Sequence, residues 1–495
     1  MKILFIVKEL QLIERVGMMY LSAILKKNGH QIKLLRTFKL SFEEICKQID
    51  SFTPQVLAYS TMTGEHKDYI DLNRKLKERF SVFSIFGGPH PTFFPEMICR
   101  QGVDCVCIGE GEDAMLELVA KIQYKDEITN IKNLWIKKDG QVFRNPVRNL
   151  ISNLDMLPFP DRELMNEGNP YMRNYKTKMF FSGRGCPYAC TYCFNHQFNK
   201  IYENKGSITR FRTVDNLIAE ILEVKTKYPL KSVGFGDDTF LLKPKSWLEE
   251  FTKKYKNTIN LAFSCCVRVD LINESTVRAL KDAGCYSVWM GVECGDEKIS
   301  SNLLKRNIKN NNILNACRLL RKNRIKFATQ NLIALPVENP LEVDFKTLEL
   351  NIRCKPDFAW SSIFYPYPKT DLGEFCRENG YLKKNFEEMA ETNKITSELT
   401  FENAYVKKKL ERLHKIFGII TEFPFLFKFA KFFIRLPLDG FYKFIFFCWY
   451  GFCFRIRLEK WKKTPREIYI LIVTLLNYLR QLSLSEKSFN SKAKR

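Results

Sequence analysis

The sequence predicts an α/β protein in three parts. An N-terminal doubly wound, Rossmann-like domain covers residues 1–140, and a partial (β/α)6 barrel covers 176–382 behind a connector at 141–175. A mostly helical region follows over 383–495. Three observations carry this. Short apolar runs alternate with amphipathic helical stretches, the pattern of parallel sheets. The alternation pauses near residue 130 and restarts at Lys178. The composition then shifts: Phe401–Arg495 holds 20 Lys+Arg against 7 Asp+Glu, and 22 of the 67 aromatic residues. The whole chain is 45% apolar and 27% charged, which excludes a disordered or collagen-like chain. Its net charge of +24 predicts an acidic partner: nucleic acid, anionic lipid or a phosphorylated substrate.

In the first part, Met1–Leu10 has no ordered leader pattern and reads as a strand. A reducing, cytoplasmic compartment is therefore expected, with the 16 cysteines as free thiols or metal ligands. Lys2–Lys8 is the first strand. Met18–Asn28 is a helix with Leu21, Ile24 and Leu25 on one face and Gly29 as its stop. Gln31–Leu35 is a strand, Ser41–Ile49 a helix, Val56–Tyr59 a strand and Tyr69–Phe80 a helix. Val82–Phe86 runs into Gly87-Gly88-Pro89-His90, and Val103–Ile108 into Gly109-Glu110-Gly111-Glu112. Ligands of doubly wound sheets sit beyond the carboxyl ends of the strands. Glycine there lets backbone approach a large ligand. Each cluster reads equally well as a ligand loop or as a tight turn.

A hairpin is expected around Lys138-Asp139-Gly140, then a proline-containing stretch, Leu157–Pro160. Six strands follow: Lys178–Ser182, Ser232–Phe235, Leu261–Cys265, Ser287–Gly291, Lys326–Ala334 and Phe358–Phe364. The helices between them are Thr213–Lys227, Lys245–Tyr255, Ser275–Ala283, Asn311–Asn323 and Leu341–Cys354. Barrels of this kind collect their chemistry at the carboxyl ends of the strands.

Just after the first barrel strand stand Cys186, Cys190 and Cys193, spaced Cys-x3-Cys-x2-Cys. Three thiolates so close suit a soft metal or an iron–sulfur cluster. Zinc stays open, with His196 as a fourth ligand. The segment resembles the signature of the radical S-adenosylmethionine (SAM) superfamily, Cys-x3-Cys-x-aromatic-Cys, with Tyr192 as the aromatic. The resemblance implies a [4Fe–4S] cluster on these cysteines with one iron left open for SAM. It implies reductive cleavage of SAM to a 5′-deoxyadenosyl radical, and a reductant such as flavodoxin or ferredoxin. It also implies SAM contacts at successive strand ends. Gly236, Asp237 and Asp238 would meet the methionyl amino group. Ser264 and Arg268 follow, with Arg268 or Lys305 at the carboxylate. Glu293 would meet the ribose hydroxyls, and Leu335, within Asn331–Glu338, would lie by the adenine. Tyr365–Pro368 ends the sixth strand. Ala334, Val337 and Lys369 stand where the family usually has glycine.

The first part is similar to the cobalamin-binding domain fused to many radical SAM enzymes. That group includes the class B methylases and the anaerobic Mg-protoporphyrin ester cyclase. Gly17–His30, Gly87–Pro91 and Gly109–Glu112 carry this second resemblance, and the two together cover Met1 to Leu382. It implies cobalamin at Ser60, Thr61, Gly87, Gly88, Pro89, Gly109, Glu110 and Gly111. The Asp-x-His-x-x-Gly pattern that supplies a lower histidine ligand is missing, since no histidine precedes His30 and Lys8–Gly17 does not fit. Methylthiotransferases resemble this architecture, but Cys46, Cys99, Cys105 and Cys107 lack the spacing of a second cluster.

Cys105 and Cys107 share one side of a strand and read as core, as do Cys265, Cys285, Cys317 and Cys354. Cys294 flanks Glu293. In the tail, Phe423–Leu438 interleaves Phe with Lys and Arg. The uncharged runs Phe444–Phe454, of 11 residues, and Ile468–Leu479, of 12, fall short of a membrane span. Three readings of the tail stand: a helix in an anionic membrane interface, a cap that shapes the substrate pocket of the open barrel, and a nucleic-acid platform. The expected function is a radical SAM enzyme, cobalamin-dependent, that methylates or rearranges an unactivated carbon of an anionic or lipid-linked small molecule. Its expected place is the cytoplasm or the inner face of the membrane. An RNA-modifying enzyme of the same superfamily and a non-catalytic membrane-associated binding protein are the alternatives.

Overall fold

The computed structural model describes residues 1–8, 14–386, 389, 395–460, 464, 465, 468 and 469. The first sheet is built from β1 (Lys2–Val7), β2 (Gln31–Arg36), β3 (Val56–Ser60), β4 (Phe83–Gly87), β5 (Cys105–Cys107), β6 (Leu134–Lys138) and β7 (Gln141–Arg144). Its order is β2-β1-β3-β4-β5-β6-β7. The first five strands pair in parallel, and the β6–β7 hairpin joins them antiparallel. The expected hairpin is thus present, and it widens the first sheet. β1 is central. Ile3, Phe5 and Val7 pack into one apolar layer and Leu4 and Ile6 into the other, which is why it reads as an unbroken apolar run. The strand order reverses between β1 and β3, so the ligand crevice of this topology opens above Ser60 and Thr61.

The second sheet contains β8 (Thr177–Phe180), then, after the short pair β9 (Gly183–Arg184) and β10 (Arg210–Phe211), β11 (Ser232–Phe235), β12 (Ala262–Arg268), β13 (Cys285–Glu293), β14 (Lys326–Ile333) and β15 (Phe358–Ile363). The six long strands are parallel and adjacent in chain order, with β8 and β15 at the two edges. This is the expected open partial barrel. Two of the helices between strands start at side-chain caps: Thr213 Oγ accepts from Asn216 N, and Asn273 and Thr276 form a capping box. Two strand ends differ from expectation. β8 stops at Phe180, because the Ser182 and Gly183 amides are taken by the Asp237 carboxylate. β12 runs on to Arg268, since Phe263, Cys265 and Val267 keep alternating into the helix-facing core.

The described tail packs on the open edge of the barrel. Helix Ala404–Glu422 lies against β15 and helix Pro340–Cys354, and helix Asp439–Phe452 lies on Ala404–Glu422. The chain then turns into the foot of the barrel. Ser287 Oγ donates to Leu458 O at 3.0 Å, Lys326 Nζ to Arg457 O at 2.9 Å, and Tyr175 to the Glu459 carboxylate. Of the second uncharged run, only Ile468 and Tyr469 fall within the described residues. Among the described residues no helix is long and apolar enough to cross a membrane.

One buried ion network ties the parts together. Arg162, between the two sheets in sequence, pairs with Glu14 at 2.8 Å and Glu220 at 2.9 Å, and donates to Met179 O at 2.7 Å. Arg212 takes the other Glu220 oxygen. All four side chains are at most 5% exposed. Removing one partner from such a set strands a buried charge. Arg162→Ala is expected to cost about 3–5 kcal/mol, read as a lower urea midpoint at unchanged slope.

Candidate active site

The cysteine loop leaves β9 at Arg184 and enters helix Phe194–Ile201 at Cys193. It is fixed at both ends and in the middle. Asp237, buried at the tip of β11, accepts from Ser182 N at 2.7 Å, Gly183 N at 3.1 Å and Lys243 Nζ at 2.8 Å. Gly185 has φ 91°, and a Cβ there would lie 2.0 Å from Ile208 O, so only glycine fits before Cys186. Asn199 Nδ2 donates to Cys186 O at 2.9 Å, Cys193 N to Cys190 O at 3.1 Å, and Thr191 Oγ to Leu303 O at 2.6 Å.

All 16 cysteines are free. Burial raises the Cys186 thiol, with a further push from Cys190, and pushes Cys193 up to about 12, with further pushes from Cys190 and Cys186. The three sulfurs therefore share one electrostatic neighbourhood. Among the described residues no three His, Cys, Asp or Glu side chains are gathered as a site for a single metal ion. A cluster holds each sulfur on a separate iron, which spreads its ligands wider than one ion does. An all-sulfur set of three on one loop suits that chemistry. His196 is turned to Asp371, 3.2 Å away, which leaves zinc without its fourth ligand.

Around the loop, lumen-facing residues of successive strands converge. Arg268 lies 3.6 Å from the Tyr188 ring centre and 3.7 Å from Cys190 Sγ, with Asp270 as its ion partner at 2.8 Å. Ser264 and Cys266 line the same side of β12. Burial, with Asp237 and Asp238 nearby, pushes the Cys266 thiol up to about 12. Glu293, at φ 65°, ends β13. Burial raises its carboxyl against the opposing pull of Arg306, 3.7 Å away. Arg306 also donates to Gly291 O at 2.7 Å and Tyr192 Oη at 3.3 Å. Burial alone would lower the Arg306 guanidinium, but Tyr192, Glu293 and Cys190 outweigh it and raise it.

The predicted positions sort as follows. Cys186, Cys190, Cys193, Tyr192, Arg268 and Glu293 come together. Asp238 borders the loop, accepting from Asn195 Nδ2 at 2.8 Å. Asp237 is wholly engaged in holding the loop, and Gly236 is kept free of a side chain by the Phe181 ring, 2.6 Å from where a Cβ would sit. Lys305 is exposed, and the inward cation is its neighbour Arg306. Leu335 is fully buried in an apolar cluster.

In the first domain, Ser60, Thr61, Gly87, Gly88 and Pro89 meet at the crevice. Thr61 N donates to Gly87 O at 2.8 Å, and a Gly88 Cβ would lie 3.0 Å from the Thr61 backbone. Pro89 opens a short turn whose His90 stacks on His66 at 3.7 Å. Burial lowers His66 to about 4 and His90 to about 2, so both rings are neutral at ordinary pH. The next loop differs from expectation. Gly109 is covered by Tyr202, and Gly111 packs on Cys107 Sγ. Glu110 pairs with Arg184 and Arg210, each at 2.9 Å, and Glu112 with Arg184 at 2.6 Å. Gly109 and Glu110 therefore face the barrel rather than an open crevice. Phe93 stacks on Phe194 at 4.5 Å, and Phe194 meets Tyr367 at 4.5 Å, which links crevice, cysteine loop and sixth strand end.

Comparison with known proteins agrees with this geometry. The radical SAM superfamily matches residues 180–346, and the B12 binding domain matches residues 5–119. The chain is a radical SAM enzyme with an N-terminal B12-binding domain. It is 28% identical to an uncharacterized methyltransferase of Pyrococcus horikoshii over 74% of its own length and 79% of that protein's. It is 24% identical to an anaerobic magnesium-protoporphyrin IX monomethyl ester cyclase of Rubrivivax gelatinosus, over 71% and 64% respectively. Its fold matches the cobalamin-dependent S-adenosylmethionine radical enzyme OxsB, with TM-score 0.67 at 14% identity, over 98% of this chain and 75% of that one.

Arg306, Cys266, Arg184 and Tyr202 were not singled out in the sequence of this radical SAM enzyme. Strand alternation from Arg268 back to Cys266 is a usable signal for one of them. Ala334 and Lys369, two of the three glycine departures, have φ 58° and 62°. Left-handed backbone disfavours a Cβ by roughly 1–2 kcal/mol. Ala334→Gly is expected to raise stability by about 1 kcal/mol in urea unfolding. Asp344 accepts from Ala334 N at 3.0 Å and is fully buried, and burial raises its carboxyl well above 3.8. Its contribution is complete below that value and is lost as pH rises through the raised one. Asp344→Asn is expected to flatten this decline between acid and neutral pH, measured as thermal midpoint against pH.

Proposed function

We propose that the protein is a cobalamin-dependent radical SAM methyltransferase acting on an unactivated carbon of an anionic or lipid-linked small molecule. The observation that supports it most is the gripping of a three-cysteine loop by both domains at the carboxyl ends of two parallel sheets. Cys186, Cys190 and Cys193 would hold the [4Fe–4S] cluster. When bound, the cluster supplies one electron for reductive cleavage of SAM and cobalamin a transferable methyl group. The chain's own groups hold and shield. Arg268, set against Tyr188, offers a fixed cation for the SAM carboxylate, and Asp238 an acceptor for its amino group. Glu293 offers an acceptor for ribose hydroxyls, with Arg306 fixing its direction. Phe93, Phe194 and Tyr367 form an apolar wall between crevice and loop that keeps water from the space where the two cofactors would meet. Ser60, Thr61, Gly87, Gly88 and Pro89 would line the corrin side. The net charge and basic tail favour an anionic substrate.

The test is anaerobic reconstitution with iron, sulfide and hydroxocobalamin. The wild type is expected to be brown, to retain corrin through gel filtration, and to form 5′-deoxyadenosine from SAM under reduction. Cys190→Ala should lose the colour and reduce 5′-deoxyadenosine by about a thousandfold while still retaining corrin. A colourless wild type, or Cys190→Ala with full turnover, would overturn the proposal.

A further inference from the structure

We infer that the C-terminal region carries a docking face for an anionic lipid bilayer, lying in its interface rather than crossing it. Helix Asp439–Phe452 is seated by one side only. Tyr442 is buried, the Phe446 ring lies 4.7 Å from His414, and Trp449 covers Gly418. The other side presents Phe441, Phe444, Cys448 and Phe452, spaced as one stripe of a helix. Phe441 is 57% exposed, Phe444 67% and Phe452 41%. The adjoining turn Pro424–Phe433 adds Phe425, Phe429 and Phe432 at 66%, 54% and 58%. Single exposed rings are ordinary, but six on two adjoining elements form an apolar patch of the kind that marks a binding surface.

The patch is held rigidly. Arg412 pairs with Asp439 at 2.9 Å and donates to the Ile434 and Arg435 carbonyls at 3.2 Å, and Tyr442 Oη donates to Phe433 O at 2.8 Å. These bonds lock the turn to the helix. They also occupy Asp439, the only carboxylate between Phe423 and Phe452. Lys428, Lys431 and Arg435 stay exposed among the rings.

Charge decides the occupant. The buried centre of a protein–protein contact is depleted of charge, whereas here cations are interleaved with the rings. Rings entering the headgroup boundary, with cations at the phosphate level, match an anionic bilayer surface. Because helix Asp439–Phe452 leads directly into the segment that fills the barrel foot, contact with lipid would hold the catalytic barrel at a fixed attitude.

The experiment is flotation of the full-length protein with vesicles of phosphatidylcholine alone, or with about 30% phosphatidylglycerol added. Flotation should be about tenfold greater with the anionic vesicles and should fall as salt rises. Phe441→Asp with Phe444→Asp should reduce it about tenfold or more. Lys428→Glu with Lys431→Glu and Arg435→Glu should abolish the preference for anionic vesicles. The substituted side chains are exposed, so each variant should keep the wild-type thermal midpoint and brown colour. Absence of flotation, or flotation equal in wild type and variants, would overturn the inference. So would single-stranded RNA bound more tightly than vesicles and lost in the Phe variant, or a dimer in sedimentation that the Phe variant dissolves. No turnover is needed for any of these readouts, so they stand or fall apart from the proposed reaction.

Discussion

A guanidinium between two carboxylates connects the two halves of this molecule. Arg184 sits two residues before the first cluster-loop cysteine, and its partners Glu110 and Glu112 belong to the B12-binding domain. Burial alone would raise the Glu110 carboxyl, but Arg184 and Arg210 hold it below its ordinary value. The pairing keeps both signs charged in a setting where neither would be tolerated alone. Tyr202 completes the joint. Its hydroxyl accepts from Glu110 N at 2.9 Å and Asn133 Nδ2 at 3.0 Å, both in the first domain, while its ring lies over Gly109. The loop that presents the thiols thus takes its bearing from two domains at once.

The barrel itself is incomplete, and an incomplete barrel must cover its lumen and its edges. β8 and β15 are each paired on one side only. The tail covers β15 with helix Ala404–Glu422 and returns to the foot of the lumen through Cys453 and Leu458, which pack with Trp289, Phe358 and Trp360. Among the described residues the tail thus packs on the edge and foot of the open barrel, the packing that the cap reading expects. It leaves the rings on the outer side of helix Asp439–Phe452 unaccounted for by packing alone.

Much of this was legible in the sequence because parallel sheets buried on both faces leave a strong period. The six barrel strands lie within a few residues of their expected places, since each apolar run ends where a capped helix or a turn begins. The cysteine loop was legible because its spacing is local. What was not legible depends on contacts distant in sequence. Glycine at 109 signals a close approach, yet the sequence alone does not say whether a corrin or the Tyr202 ring makes it. Lys305 and Arg306 are adjacent cations, and only the turn after Leu304 decides which one faces inward. Asp237 and Asp238 are likewise adjacent carboxylates, and the fold assigns one to the backbone and the other to the mouth.

The same division of labour runs through the first domain. Of its strand-end loops, the one after β5 is engaged by Arg184, Arg210 and Tyr202, so Gly109 serves packing between domains, while Gly111 packs within the first. The loops after β3 and β4 bond to each other, Thr61 N donating to Gly87 O and His90 N to Thr61 O, and the β4 loop also reaches Phe194 through Phe93 and Gly109 N through Thr92 Oγ. They border the point where the strand order reverses, the place where this topology leaves a crevice open. The neutral, stacked His66 and His90 rings floor that side, and neither is presented on the surface as a metal ligand. A corrin seated there would meet backbone and hydroxyl groups rather than an imidazole. The sequence is consistent with this, because the early histidine motif is absent while the glycines of the β4 loop are present.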